Sequence, residues 1–314
     1  MTVNIITQDM RAEEETNPTI LILGLPGSGK TFLSTTLPAE ETLFIDVEGG
    51  DASIIGEEVG LTMRPNELYK GSENPAFSKQ TTWENMRDIA VALCGATNDS
   101  GGKTKYKVDK YAPYSLEHYN AVVKEWGDKK VKALQDKIKY IYIDSMTKAS
   151  ALCKDGYADA HPTSVTKHGA FDGMGSFGTA KSELEMFSDL FKANRNITFV
   201  LSAQILSTIE KIGTNPVVEI TKYGVDAAGS YKRYLQRFPD VVLLLEVSKN
   251  RVDENGVPLR QLRTAGVSKD LPSLMLKKRM KLNETEPADL TLLIKKLTSK
   301  KVKEVKKTEK QGEK

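Results

Sequence analysis

The sequence predicts an α/β fold: a mainly parallel sheet flanked by helices, with an antiparallel hairpin at one edge. Three observations predict it. Short apolar runs rich in branched residues recur along the 314 residues, bounded by Gly, Pro or acidic positions as buried strands are. Stretches with helical spacing separate them, so crossovers join the strands and set them parallel. Towards the C-terminus, runs at 240–246 and 259–263 flank the turn Asp253–Gly256, which predicts the hairpin.

The elements follow in order. Residues 1–17 are polar and acidic, without an apolar segment before a small-residue cleavage site, and read as a flexible arm rather than a secretory signal. Thr19–Leu23 is a buried strand ending in a Gly/Pro cluster, and Phe32–Leu37 a short helix stopped by Pro38. Thr42–Asp46 is a second strand. Trp83, Met86, Ile89, Ala90 and Leu93 share one helical face over 82–93. Residues 95–136 open on Gly, Asn and Ser and are dense in Lys, Tyr and Asp, so they read as a solvated insertion. Lys139–Asp144 is a third strand, with Ser145, Met146 and Thr147 opening a helix. Residues 167–178 are too polar and glycine-laden for regular structure. A helix follows at 181–194, a strand at 197–201, and an exposed loop or hairpin at 205–222. The expected organisation is therefore an arm at 1–17, an α/β core at 18–281 with the insertion near 95–136, a C-terminal helix within 282–298, and a disordered basic tail at 299–314.

Composition narrows the function classes. No apolar run approaches the roughly 18 residues a membrane span requires, so a membrane role is not expected. Cys94 and Cys153 lie far apart without metal-ligand spacing, which fits free thiols in a reducing cytoplasm, that of a bacterial host if the chain is phage-encoded. The net charge is +3, but nine Lys and three Glu fall from Lys295 onward, a local +6. The rest carries 36 basic and 39 acidic residues, or −3, so overall basicity gives no warrant for nucleic-acid binding.

Gly24–Thr31 reads G-L-P-G-S-G-K-T, a full match to G-x-x-x-x-G-K-[ST] between a buried strand and a helix. Such a loop curls its backbone N–H groups around phosphates, and the expected nucleotide-binding residues are Gly24, Pro26, Gly27, Ser28, Gly29, Lys30, Thr31 and Phe32. Pro26 contributes shape and no donor. Lys30 would bridge phosphate oxygens, and the Thr31 hydroxyl would ligate magnesium. The expected ligand is ATP with Mg2+. Asp144 ends the apolar run 140–143 and would hold the magnesium from a Walker B strand. Glu48, just past the second strand, fits the group that orients an attacking water towards the γ-phosphate. Asp46 would support it; the alternative is that both acids only cap a loop. Gln204, at the end of F-V-L-S-A-Q, would sense the γ-phosphate or simply face solvent.

Together, I-D-V-E-G at 45–49, Y-I-D-S-M-T at 142–147 and L-S-A-Q at 201–204 resemble the core of RecA-type recombinases, most closely phage-encoded RecA-like nucleotide-binding proteins. The resemblance spans about 18–265. It implies a RecA-like P-loop NTPase in which Glu48, Lys30 and Gln204 serve catalysis. It also implies single-stranded DNA contacts from loops near 155–178 and 205–222, through Lys167, Phe171, Phe177, Lys211 and Lys222. Lys249 and Arg251 match the place where related ring-forming motors reach a neighbour's γ-phosphate in trans; otherwise they are exposed hairpin charges. Homo-oligomers with ATP at subunit interfaces, and phage or host recombination and replication proteins, are the implied partners. Two function classes stay open: an ATPase in phage-type recombination or single-strand annealing, and a nucleotide-dependent adaptor or helicase loader without direct DNA contact. A metabolic kinase would need an arginine-rich lid, and arginine is sparse over 196–232.

Overall fold

The strands form one sheet because their side chains alternate between two apolar layers. A computed structural model of the chain describes residues 17–96, 113–160, 173–194, 196–212, 218–252, 258–264, 271, 274–278 and 282–298. Strands β1 (Thr19–Gly24), β2 (Thr42–Asp46), β3 (Leu61–Met63), β4 (Tyr140–Asp144), β5 (Thr198–Ile212), β6 (Val218–Val225), β7 (Val241–Val252), β8 (Pro258–Arg263) and β9 (Thr285–Pro287) run β3-β2-β4-β5-β1-β7-β8-β9, with β6 pairing β5 off this path. The pairs from β3 to β7 are parallel, and β8 and β9 add antiparallel strands at one edge. This is the predicted α/β architecture, a mainly parallel sheet flanked by helices with antiparallel strands at one edge.

Leu21, Leu23, Leu43, Ile45, Ile141 and Ile143 face one core, whereas Ile20, Ile22, Phe44, Tyr142 and Val200 face the other. That period of two, with both faces covered, is why the strands read as unbroken apolar runs. The first layer holds α3 (Thr82–Cys94), α6 (Met146–Ala160), α7 (Gly173–Ala193) and α8 (Tyr231–Arg237). The second holds α1 (Lys30–Leu33) and a helix at 290–298, whose Leu290, Leu293, Ile294 and Leu297 pack with Leu33 and Leu37. The 282–298 segment thus contains β9 as well as the expected helix, and both join the core. Helix α3 begins where Thr81 Oγ1 accepts from Glu84 N (3.2 Å) and Glu84 Oε2 accepts from Thr81 N (2.6 Å), a reciprocal cap.

Two expectations need correction. Residues 113–137 are not a solvated insertion. After the one-turn α2 (Pro75–Ser78) and α3, helices α4 (Leu116–Trp126) and α5 (Asp128–Lys137) pack on the core through Tyr114, Val122 and Val131. A buried polar chain fixes them: His118 Nε2 meets Asp88 Oδ1 at 2.7 Å, Tyr69 OH donates to Asp88 Oδ2 at 3.0 Å, and Trp126 Nε1 donates to Tyr69 OH at 2.9 Å. Few apolar residues carry this packing, so composition concealed it. Residues 173–178 are helical rather than irregular, forming the start of α7. Glycine costs a helix about 1 kcal/mol relative to alanine, and the buried turns from Ala180 to Phe191 override that here. Residues 205–225 form the hairpin alternative, with β5 and β6 in register from Ile205↔Val225 to Ile212↔Val218. Residues 97–112 and the tail at 299–314 lie outside the described residues. Among the described residues, no helix is long and apolar enough to cross a membrane.

Candidate functional site

The site stands at the C-terminal ends of β1, β2 and β4, beside Gln204 midway along β5. Strand β1 ends at Gly24, paired in register with Gln204 on β5. The chain then turns, with Ser28 N donating to Leu25 O (3.1 Å), and enters α1 at Lys30. Two glycines make that turn. Gly29 takes φ +93°, which calls for glycine, and a methyl group there would lie 2.5 Å from Arg260 Nε and push that side chain aside. Gly27 takes φ +75°, but a methyl group there would meet nothing within 4 Å, so only the backbone conformation calls for glycine. Tyr142 OH, buried on β4, donates to Lys30 O and pins the loop–helix junction to the sheet.

The expected nucleotide-binding residues are not equally enclosed. Gly24, Ser28 and Lys30 are buried and Gly29 and Thr31 half-buried, whereas Pro26, Gly27 and Phe32 are exposed. Gly27 stands on the open crest of the loop, where it shapes the turn and packs against nothing on its Cβ side.

Lys30 Nζ donates to Gly24 O and Leu25 O at 3.0 Å each. Burial lowers its pKa, while Asp144 and Glu48 act to raise it. Thr31 Oγ1 donates to Asp144 Oδ2 at 2.5 Å, and Ser202 Oγ donates to Asp144 Oδ1. Burial pushes the Asp144 carboxyl above its usual range despite those two hydroxyls. The residues fit the expected ligand on the structure's own terms. Lys30 donates only to loop carbonyls, Ser28 Oγ is buried without a hydrogen-bond partner, and a hydroxyl and a carboxylate meet beside the loop. Thr31 and Asp144 would hold magnesium, which takes few protein ligands and completes its shell with phosphate and water. Among the described residues no cluster of three or more His, Cys, Asp or Glu could hold a metal.

The β2–β4 register sets Asp46 opposite Asp144, so the turn after β2 lies beside the start of α6. The Asp46 carboxylate accepts from Gly49 N (2.8 Å), Gly50 N (2.9 Å) and Asp51 N (3.3 Å). It therefore shapes the turn that presents Glu48. Burial raises the Asp46 pKa against those backbone donors. Glu48 is exposed; its Oε1 accepts from Ser145 Oγ and lies 3.5 Å from Gln204 Nε2. Glu48, Gln204, Lys30, Thr31 and Asp144 are thus brought together around one loop. Gln204 is also anchored: its N donates to Thr147 Oγ1 (2.8 Å), and its O accepts from Asp226 N (2.9 Å). Thr147 Oγ1 in turn donates to Asp226 O at 2.7 Å, joining α6 to the base of the β5–β6 hairpin.

Of the remaining candidates, Lys211, Lys222 and Phe177 make their described contacts elsewhere. Lys211 and Lys222 are exposed on the hairpin and paired across it, Lys211 with Glu219 at 3.1 Å and Lys222 with Glu210. Phe177 is exposed on α7, under Lys154 Nζ at 5.4 Å from its ring centroid. Lys167 and Phe171 lie outside the described residues. Lys249 and Arg251 lie on β7, and their side chains are outside the described set. Sequence reasoning passed over Ser202, Tyr142 and Arg260. For Ser202 the signal was present, two residues before Gln204 and so on the same face of β5. Phe32 is exposed beside the loop, with the Arg260 guanidinium carbon 5.4 Å from its ring centroid.

Comparisons with known proteins follow this geometry. Among solved structures, the chain is similar to a prototypical ATPase from the type III secretion system of pathogenic bacteria (13% identity, TM-score 0.33, covering 74% of this chain and 51% of that one). It thus spans about half the length of that protein. It is also similar to the RadB recombinase (10% identity, TM-score 0.32, covering 86% of each chain). No curated protein matches it. A family model described as the AAA domain matches residues 16–271, most of the chain and all of the site above. The chain belongs to that AAA domain family.

Proposed function

We propose that this chain is a magnesium-dependent ATPase whose nucleotide cycle acts on single-stranded DNA, in recombination or strand annealing of the phage type. The observation that carries it is the meeting of Glu48, Ser145 and Gln204 beside Lys30, Thr31 and Asp144. Lys30 and the loop N–H groups bind and neutralise the phosphates. Thr31 and Asp144 hold the cation, with Ser202 fixing the second carboxylate oxygen. Magnesium-bound ATP supplies the scissile γ-phosphoryl bond. Glu48 orients a water in line with that bond and accepts its proton, while Ser145 and Gln204 hold the carboxylate in place. Gln204 also begins the hairpin, so a change in its contacts reaches β5–β6 directly. The test is Glu48→Gln assayed with and without single-stranded DNA. ATP binding should persist while hydrolysis falls by about two to four powers of ten. Turnover at the parent rate would remove Glu48 from the chemistry.

One observation favours the second reading, an adaptor or loader without direct DNA contact. Lys211 and Lys222 are both already paired with carboxylates. Stimulation of ATP hydrolysis by single-stranded DNA separates the readings: the first requires it, and the second predicts none.

A further inference from the structure

Two arginines on β8 have opposite surroundings. Arg263 Nε bonds Glu246 at 2.9 Å and its Nη1 bonds Glu284 at 3.1 Å, so its charge is doubly matched. Arg260, three residues earlier, pairs with no carboxylate among the described residues, and its Nε is buried without a hydrogen-bond partner. Its guanidinium carbon lies 5.4 Å from the Phe32 ring centroid, and its Nε abuts Gly29. The strand register explains its position. Leu23 is level with Leu244, Leu244 with Arg263, and Val247 with Arg260. Arg260 therefore stands beyond the end of β1, at the height where the chain has become the phosphate loop. Leu262, two residues on and so on the same strand face, packs in the layer of α1.

Asp144 comes from β4, on the far side of β5 from β1, whereas Arg260 comes from beyond β7 on the opposite side. A guanidinium does not lose its proton, and a partly buried one without an anion is unfavourable. The Phe32 ring face offsets only part of that. We propose that Arg260 is a second phosphate-binding cation, acting within the same chain and closing on the nucleotide's polyphosphate from the side opposite Asp144. This rests on the nucleotide-binding reading above. Among the described residues no carboxylate compensates the charge; with a polyphosphate in the loop it gains its counter-ion.

The experiment is equilibrium calorimetry of ATP and of inorganic tripolyphosphate with the full chain, together with thermal melting. Arg260→Met keeps an unbranched chain against Phe32 and removes the charge; Arg260→Lys keeps the charge without the planar fork. For Arg260→Met, both ligands should bind about tenfold or more weakly, as for one lost charge-assisted contact. The ligand-free melting temperature should stay level or rise, and the shift produced by ATP should shrink. Arg260→Lys should recover part of both affinities. Parent-strength binding of both ligands by Arg260→Met would overturn the proposal. So would weaker ATP binding with tripolyphosphate unaffected, since the contact would then be to the nucleoside. Equal losses in both variants with a lower ligand-free melting temperature would assign Arg260 to loop packing instead, which also overturns it. Lys30→Ala, run in parallel, should abolish binding; if it bound normally, the nucleotide-site reading itself would fail, a result distinct from any Arg260 outcome.

Discussion

At Asp144 two effects oppose each other: burial pushes the carboxyl's pKa up, while hydroxyls from Ser202 and Thr31 stabilise its anion, and burial wins. A carboxyl whose folded pKa lies above its ordinary 3.8 contributes stability that is full below that value and is lost as pH rises through the folded pKa. At neutral pH the ligand-free chain therefore carries Asp144 at a net cost that a bound cation would offset. Asp144→Asn removes the charge and nearly keeps the shape. Without ligand its stability at neutral pH should equal or exceed the parent's, and the difference should narrow as pH falls towards about 4. Its magnesium affinity in the presence of ATP should drop about 10–100-fold. Melting curves from acid to neutral pH, with and without magnesium and ATP, check both. A variant less stable than the parent at every pH, with an unchanged magnesium response, would sink the argument. Lys30, Thr31, Asp144, Glu48 and Gln204 were legible in the sequence because each follows within a few residues of an apolar run. Gly27 was legible as a turn residue, but its exposure was not, since a motif names a loop without saying which part of it lies open. Tyr142 and Arg260 were not picked out, because their roles arise from register between strands far apart in the chain, and register is not written locally.

Among the elements, strands buried on both faces were legible as apolar runs, whereas β5 and β7 extend well beyond the runs that marked them. Their outer halves mix polar with apolar residues because they pair with β6 and β8 as hairpin arms rather than filling the core. Helices α4 and α5 were illegible for the opposite reason, being amphipathic with only a few buried anchors. The β5–β6 arm is where the two functional readings part. Exposed ion pairs contribute only about 0–1 kcal/mol, so Lys211 and Lys222 can exchange Glu219 and Glu210 for DNA phosphates at little cost. Replacing both lysines by alanine should lower the salt slope of single-strand binding by about 1.4, at about 0.7 per phosphate contact. Glu210→Gln with Glu219→Gln should act in the opposite direction and tighten binding by freeing the lysines. Titrations with a fluorescent oligonucleotide over a salt series measure both. If neither pair of changes moves the affinity, the arm does not touch DNA, and the adaptor reading gains.

Across the whole molecule, charge is divided unevenly: the stretch from Lys295 carries +6 and the remainder −3. Such a cationic segment would hold nucleic acid without sequence preference and with strong salt dependence, which resembles productive binding in a simple affinity assay. Coupling needs more than affinity. It needs a path from DNA to the γ-phosphate, and the described structure offers one through the hairpin base, Asp226, Thr147 and Gln204 to Glu48. Removing residues 299–314 takes away seven lysines and three glutamates and leaves every residue of that path in place. Affinity for single-stranded DNA at low salt should therefore fall, with the truncated and full chains converging as salt is raised. Stimulation of ATP hydrolysis at saturating DNA should survive the truncation and be lost in Gln204→Ala. Hydrolysis measured against DNA concentration separates the two quantities, since affinity sets the midpoint and coupling sets the plateau. A truncation that abolishes the plateau while Gln204→Ala preserves it would place the coupling in the tail and rule out the hairpin route.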